Sequence, residues 1–188
     1  MHLGRVTYYV DFWAYPALAA LLAWWSFYPE AMAGRLAWLA ACAFGLLLWT
    51  LLEYLMHRAV FHHAPWFATQ HRTHHDAPAA SIGTPLWYSM PPLVLMFAAL
   101  AALLGPALAG GLCMGVLAGY YWYISVHHIA HRWRTRPGTY LHAARLRHGR
   151  HHVPDAYGDF GVSTGLWDHI FGTALMPRGT GAKLTIRA

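Results

Sequence analysis

Fifteen histidines in 188 residues invite metal chemistry, and their spacing sharpens the idea. His71, His74 and His75 stand at i, i+3 and i+4, on one face of a helix, and His148, His151 and His152 repeat the figure. His127 and His131 are one turn apart. His57 and His62 are five apart, which a regular helix splays by about 140°. That pair needs either a helix end between its members or two different metal partners. Neutral imidazole is a common metal ligand, whereas unmetallated imidazoles at this density would repel one another once protonated. Ten patterned histidines exceed what one ion can use, so two ions are implied. A structural zinc site is complete with four ligands, so ten gathered at one membrane face suggest redox chemistry. His2, His63, His128, His142 and His169 fall outside the pattern and read as structural.

The carboxylates near these clusters are Glu53, Asp76, Asp155, Asp159 and Asp168. The Glu-x-x-His pairs of soluble di-iron bundles do not occur. Glu53 lies one turn before His57. It is placed either to accept that ring's second N–H and fix its tautomer, or to serve as an interfacial charge. No dedicated general base accompanies the ligands, which disfavours zinc hydrolysis.

The elements that must position these groups are apolar. Hydrophobic residues make up 57% of the chain and charged residues only 11%, against about 25% charged in a typical soluble domain. Two cysteines, Cys42 and Cys113, exclude a disulfide scaffold and a cysteine-based zinc fold. Charge-free runs place four membrane spans at roughly 11–29, 36–56, 86–104 and 112–127. The last two are parted by a turn through Gly105-Pro106 and Gly110-Gly111. The weakly basic start with no clean cleavage site disfavours a signal peptide. With four spans both termini share a side, and twelve of thirteen basic residues lie there, Arg35 alone opposite. By the positive-inside bias that side is the cytoplasm, and the histidine clusters lie on it. The net charge of +6 thus marks membrane flanks and not a nucleic-acid partner. Residues 1–188 read as one all-α membrane domain, four transmembrane helices under a cytosolic helical cap.

The ordered set His57-x4-His62, His71-x2-His74-His75, His127-x3-His131 and His148-x2-His151-His152 resembles the integral-membrane fatty acid hydroxylase superfamily, which includes sterol desaturases, methyl oxidases and carotenoid hydroxylases. The likeness extends through Glu53-Tyr54-Leu55-Met56-His57-Arg58, Tyr140-Leu141, Phe160–Thr164 and Leu166–Thr173, over about residues 45–176. Four residues between His57 and His62 resemble the fatty acid 2-hydroxylase and carotenoid patterns. The tail with Leu166-Trp167-Asp168 resembles the fatty acid and sterol branches, so fatty acid hydroxylase is the intersection.

The resemblance implies a non-haem site of two iron ions, which zinc can displace during purification. Its ligands would be the ten patterned histidines, with Glu53 and Asp168 behind them. It implies O₂ as cosubstrate and a lipid from the bilayer, its C–H bond hydroxylated. Alternatives within the superfamily are carotenoid hydroxylation and sterol desaturation or methyl oxidation. From another class comes a non-catalytic metal- or lipid-binding membrane protein; a transporter would carry polar groups within its spans. The sequence has no dinucleotide-binding glycine fingerprint, haem-attachment motif or iron–sulfur cysteines. Electrons are therefore expected from a separate ferredoxin or cytochrome b5 with its reductase. Arg132, Arg134, Arg136, Arg145, Arg147 and Arg150 could steer an acidic donor or bind anionic lipid. Trp87, Tyr88, Tyr120, Tyr121 and Trp122 would line the lipid entrance or form an interfacial belt.

Overall fold

The computed structural model describes residues 3–27, 32–81 and 83–176, and the elements among them are all helical. They are α1 (Arg5–Phe27), α2 (Met32–Leu55), a π turn (Met56–Phe61), α3 (Pro65–Asp76), α4 (Leu86–Leu104), α5 (Pro106–Arg132), α6 (Tyr140–His151) and α7 (Leu166–Ile170). His2 lies outside the described residues.

Among the described residues, three segments are long and apolar enough to cross a bilayer: Gly34–Phe61, Leu86–Leu104 and Pro106–Arg132. This is a membrane protein. α1 forms where a span was expected and has 23 residues, but it is not among those three. Arg5, Asp11 and several tyrosines make it less apolar. α4 buries none of its residues. Large side chains such as Leu39, Phe44, Leu95 and Leu103 stand exposed along the spans, as a lipid-facing surface requires and a water-facing one would not tolerate.

α5 is the hub. It packs most extensively against α2, and also against α4, α1 and α6. Its stripe of Gly111, Gly115 and Gly119 lets the two backbones nearly touch. A Cβ at Gly111 would come within 2.5 Å of the Trp38 carbonyl oxygen, and one at Gly119 within 2.5 Å of the Trp49 ring; at Gly115 it would collide with the Cys42 carbonyl. The expected turn through Gly110-Gly111 is therefore not a turn. Gly105, at φ +83°, makes the break alone, and Pro106 opens α5 at a position where its missing N–H costs nothing. Gly110 and Gly111 lie buried inside the helix.

At one end of this bundle sits the cap. Pro65 opens α3, and the Thr139 side chain accepts the His142 backbone N–H to open α6. The tail folds back on α2: Trp167 Nε1 donates to Thr50 Oγ1 at 2.9 Å, and Tyr54 pairs with Thr173 through their hydroxyls at 3.1 Å. Val126, Ala144 and Val162 form a small core between α5, α6 and the segment before α7.

Candidate metal centre

The ten patterned histidines converge in two groups of five. His57, His62, His71, His75 and His151 form the first, and His74, His127, His131, His148 and His152 the second. Within each, the candidate ligand atoms lie within 4.8 Å of one another. Each i, i+3, i+4 triplet is divided: α3 sends His71 and His75 to the first group and His74 to the second, while α6 sends His151 to the first and His148 and His152 to the second. Of the two expectations drawn from the His57/His62 spacing, separate metal partners are not met, whereas a helix end does fall between them, at Phe61. The π turn over Met56–Phe61 widens the helix, so residues five apart share a face, and both rings enter the first group, their centroids 5.3 Å apart.

The Nε2 atoms crowd together. Within the first group, His71 Nε2 lies 3.0 Å from that of His57, 3.2 Å from that of His62 and 3.0 Å from that of His75. Within the second, His131 and His148 approach to 2.7 Å and His127 and His74 to 3.0 Å. One proton on His71 cannot satisfy three neighbours. Two ligands at right angles, each about 2.1 Å from an ion, would be about 3.0 Å apart, against about 3.4 Å in a tetrahedron. Spacings of this size are those of nitrogens gathered about a shared cation.

Tautomers support the same reading. His57 Nδ1 donates to the Phe160 carbonyl at 2.5 Å and His151 Nδ1 to the Gly158 carbonyl at 2.9 Å. A carbonyl only accepts, so both rings carry their proton on Nδ1 and aim a bare Nε2 lone pair at the cluster. In the second group the buried Nδ1 atoms of His74, His148 and His152 have no hydrogen-bond partner, so no such carbonyl fixes their tautomers. Burial, then neighbouring imidazoles, lowers His74 to a pKa of about 3; for His151, held down to about 3, burial again leads, and it also holds His62 down to about 4. His71, His148 and His152 are depressed for the same reasons. All are neutral, ligand-ready rings at neutral pH.

Glu53 does not accept from His57. Its carboxylate is buried and takes the backbone N–H groups of Val162 at 2.6 Å and Ser163 at 2.8 Å, together with the Ser163 hydroxyl. Asp168 accepts from the backbone N–H groups of Phe160 at 2.9 Å and Gly161 at 2.8 Å, and from the Thr173 hydroxyl. Both carboxylates thus hold the loop whose carbonyls hold His57 and His151. Arg147 adds two bonds to the Gly161 and Val162 carbonyls, and Arg150 pairs with Asp159 at 2.7 Å. Asp159 has φ +53° and sits between the two accepting carbonyls. These two arginines, expected on a basic docking face, are instead turned to the loop. The loop's part was hidden because its working atoms are backbone carbonyls. The visible signals were the density of small residues from Gly158 to Gly165 and the family likeness of Phe160–Thr164.

An apolar cavity of about 430 Å³ runs from the bundle to the histidines, walled by α1, α2, α4 and α5. Its lining includes His57 and His71 of the first group and His74 and His127 of the second. Tyr88 and Tyr120 line it as expected. Tyr121, Trp87 and Trp122 do not; the last two are exposed, Trp122 donating to the Tyr140 hydroxyl at 3.2 Å. A second cavity, lined by His62, His71, His75 and His151 with Arg72 and Asp155, reaches the first group alone.

The profile of the fatty acid hydroxylase family matches residues 42–173, which hold all ten histidines. The chain belongs to the fatty acid hydroxylase family. Fatty acid 2-hydroxylase of Rattus norvegicus is 34% identical over 153 residues, covering 74% of this chain and 40% of that protein. Dihydroceramide fatty acyl 2-hydroxylase FAH2 of Arabidopsis thaliana is 34% identical over 140 residues, covering 70% of this chain and 59% of that protein. The chain thus spans about half the length of such relatives. A solved structure of full-length scs7p, with only its hydroxylase domain visible, shares the fold: its TM-score is 0.77 at 24% identity, over 90% of this chain and 67% of that one. Of the histidines outside the pattern, this member of the hydroxylase family gives three a structural partner. His128 Nδ1 meets the Tyr8 hydroxyl at 2.9 Å, His63 meets Tyr157 at 3.2 Å, and His142 meets Thr135 at 3.1 Å.

Proposed function

We propose that the chain hydroxylates a fatty acyl chain of a membrane lipid, with one iron held by each group of five histidines. The observation that carries this reading is the apolar cavity that ends on ligands of both groups. An acyl chain fits such a lining, and a C–H bond at its inner end would face both ions at once. Bound there, iron supplies the activation of O₂ that no side chain can. The balance is R–H + O₂ + 2 e⁻ + 2 H⁺ → R–OH + H₂O.

The protein's own part is positioning and exclusion. The Phe160 and Gly158 carbonyls keep His57 and His151 in the metal-binding tautomer. Glu53, Asp168 and Arg147 keep that loop in place. The cavity's leucines and aromatics keep water from the reacting carbon and leave the chain extended toward the histidines. The second cavity offers protons and small molecules a route to the first group that avoids the lipid.

The topology belongs to the same proposal. α1 is the fourth span, packed on α5; the termini and the cap are cytoplasmic because the basic residues gather there. Electrons come from a separate ferredoxin or cytochrome b5 type carrier, met by the exposed Arg134 and Arg136.

The test is expression of the chain with a His74→Ala, His151→Ala double variant, followed by mass spectrometry of cell lipids and of metal per chain. Hydroxylated acyl chains and about two metals in wild type, with both lost or clearly reduced in the variant, are expected. Two metals with no hydroxylated lipid under electron-replete conditions would overturn the activity. One metal or none, unchanged by the variant, would overturn the site.

A further inference from the structure

The cap is rich in arginine from Arg132 to Arg150, yet the segment from Phe160 to Met176 carries one charged residue, Asp168, which is buried and bonded to the loop. α7 lies in this segment and turns three faces to three surroundings. Asp168 faces the loop that holds His57. Trp167 and Phe171, one turn apart, lie on α2: the Trp167 indole donates to Thr50, and the Phe171 ring stacks on Tyr54 with centroids 5.3 Å apart. Leu166 and Ile170, also one turn apart, face away from the protein and are 45% and 57% exposed.

The contacts with α2 fix the height of α7. Arg35, charged and exposed, marks the far end of that span. Thr50 is about 22 Å further along the helix axis, still inside a hydrocarbon layer about 30 Å thick. Tyr54 is one turn higher, about 28 Å from Arg35. α7 therefore runs beside the last turns of the span, level with the edge of the hydrocarbon. At that height α2 itself exposes Leu46, Leu47 and Leu55, part of the surface that faces lipid. Leu166 and Ile170 continue that surface sideways onto the cap. The exposed, stacked rings of Trp122 and Tyr140 stand by the same loop, where the Tyr140 hydroxyl donates to the Ser163 carbonyl. Such amphipathic aromatics belong at a membrane interface.

We infer that α7 is an interfacial anchor, its Leu166 and Ile170 face immersed in the leaflet next to the cap, so that the bilayer backs the loop carrying the Phe160 carbonyl. The occupant of this face is lipid and not a protein partner. The face is continuous with the lipid-facing side of α2, and its freedom from charge offers nothing to an acidic carrier, which the exposed Arg134 and Arg136 suit better. Immersion of α7 depends on no metal and no turnover, so it stands or falls apart from the hydroxylase reading.

The experiment places a single NBD fluorophore on the full chain in phosphatidylcholine vesicles, in a background carrying Cys42→Ala and Cys113→Ala. The label is attached through Ile170→Cys. Leu95→Cys, on the exposed side of α4, is the bilayer reference, and Arg72→Cys, at the mouth of the second cavity, is the water reference. Doxyl-labelled phosphatidylcholine quenches from within the bilayer and iodide from the water. The label at position 170 is expected to lose its fluorescence to the doxyl lipid as the one at position 95 does, and to escape iodide. Iodide quenching equal to that at position 72 would overturn the inference. So would shielding from both quenchers, the sign of a second copy of the chain covering the face. If the cysteine-free chain does not fold, Ile170→Asp in the wild-type background decides. It should melt well below wild type in vesicles, because a carboxylate must then enter hydrocarbon. At a water-facing site the same change is nearly neutral, so unchanged melting would overturn the inference.

Discussion

Replacing Glu53 tests whether the metal centre is held through its loop. The carboxylate accepts two buried backbone N–H groups, from Val162 and Ser163, and the Ser163 hydroxyl. Val162 is 1% exposed and Ser163 5%, so water cannot take over. Glu53→Ala strands both N–H groups at about 1–3 kcal/mol each, or about 2–6 kcal/mol together. A typical fold has only about 5–15 kcal/mol to lose. Glu53→Gln behaves differently. Its carbonyl oxygen can take both N–H groups while its amide donates to the Ser163 oxygen, so it exchanges charged acceptors for neutral ones and costs about 1 kcal/mol. The loop's Phe160 carbonyl fixes His57, so slackening it should weaken metal binding at the first group about 10–100-fold. The assay is thermal melting in detergent together with metal retained per chain across a chelator titration. Glu53→Ala should melt well below wild type and lose one metal before the other, with Glu53→Gln close to wild type in both. Retention of both metals by Glu53→Ala at wild-type chelator levels would refute the reasoning. Equal losses in Ala and Gln variants would show that charge, and not the bonding pattern, is what matters.

Gly115→Ala should destabilise by about 3 kcal/mol or more, because the added methyl meets the backbone of Cys42, Gly45 and Leu46. Gly149→Ala, with open space around its Cβ, should stabilise α6 by about 1 kcal/mol; melting curves of the pair compare the two. Acid should unfold the chelator-treated protein. His74 and His151, held down to about 3, stay neutral in the fold, whereas unfolded histidines protonate near about 6.5. The unfolded chain therefore binds more protons below that value. Stability is fully present above it and falls by about 1.4 kcal/mol per pH unit for each such residue on the way toward pH 3. A melting temperature indifferent to pH between about 7 and 5 would contradict the buried neutral rings.

The helices and the ten histidines were legible because both signals are local. Charge-free runs of membrane length mark the spans, and i, i+3, i+4 spacing marks a helix face without knowledge of its neighbours. Readings failed where the answer depends on a partner element, as they did for Glu53, Arg147 and Arg150. Gly110-Gly111 reads as a turn in isolation, but with Gly115 and Gly119 it belongs to the small-residue stripe that lets α5 press on α2; the four-residue spacing was there to be seen. Asp11 served in the sequence only as the edge of an apolar run. Its burial depends on α1 lying against α5, which no local pattern reports.

The partition of the histidines was hidden for a deeper reason. A triplet at i, i+3, i+4 looks like a claw closing on one point, yet α3 and α6 each lie between the two groups and divide their triplets in opposite ratios. Neither group can therefore form without both helices in register, and a shift of one helix disturbs both. The stacking of His75 of the first group on His152 of the second, 4.1 Å between centroids and 14° from parallel, shows how closely the two are joined. The π turn completes the arrangement by turning His62 onto the face of His57, where an α-helical continuation would have thrown it outward. Ten imidazoles are thus brought to two points by divided triplets and one local distortion, and the loop from Gly158 to Ser163 fixes the tautomers of His57 and His151.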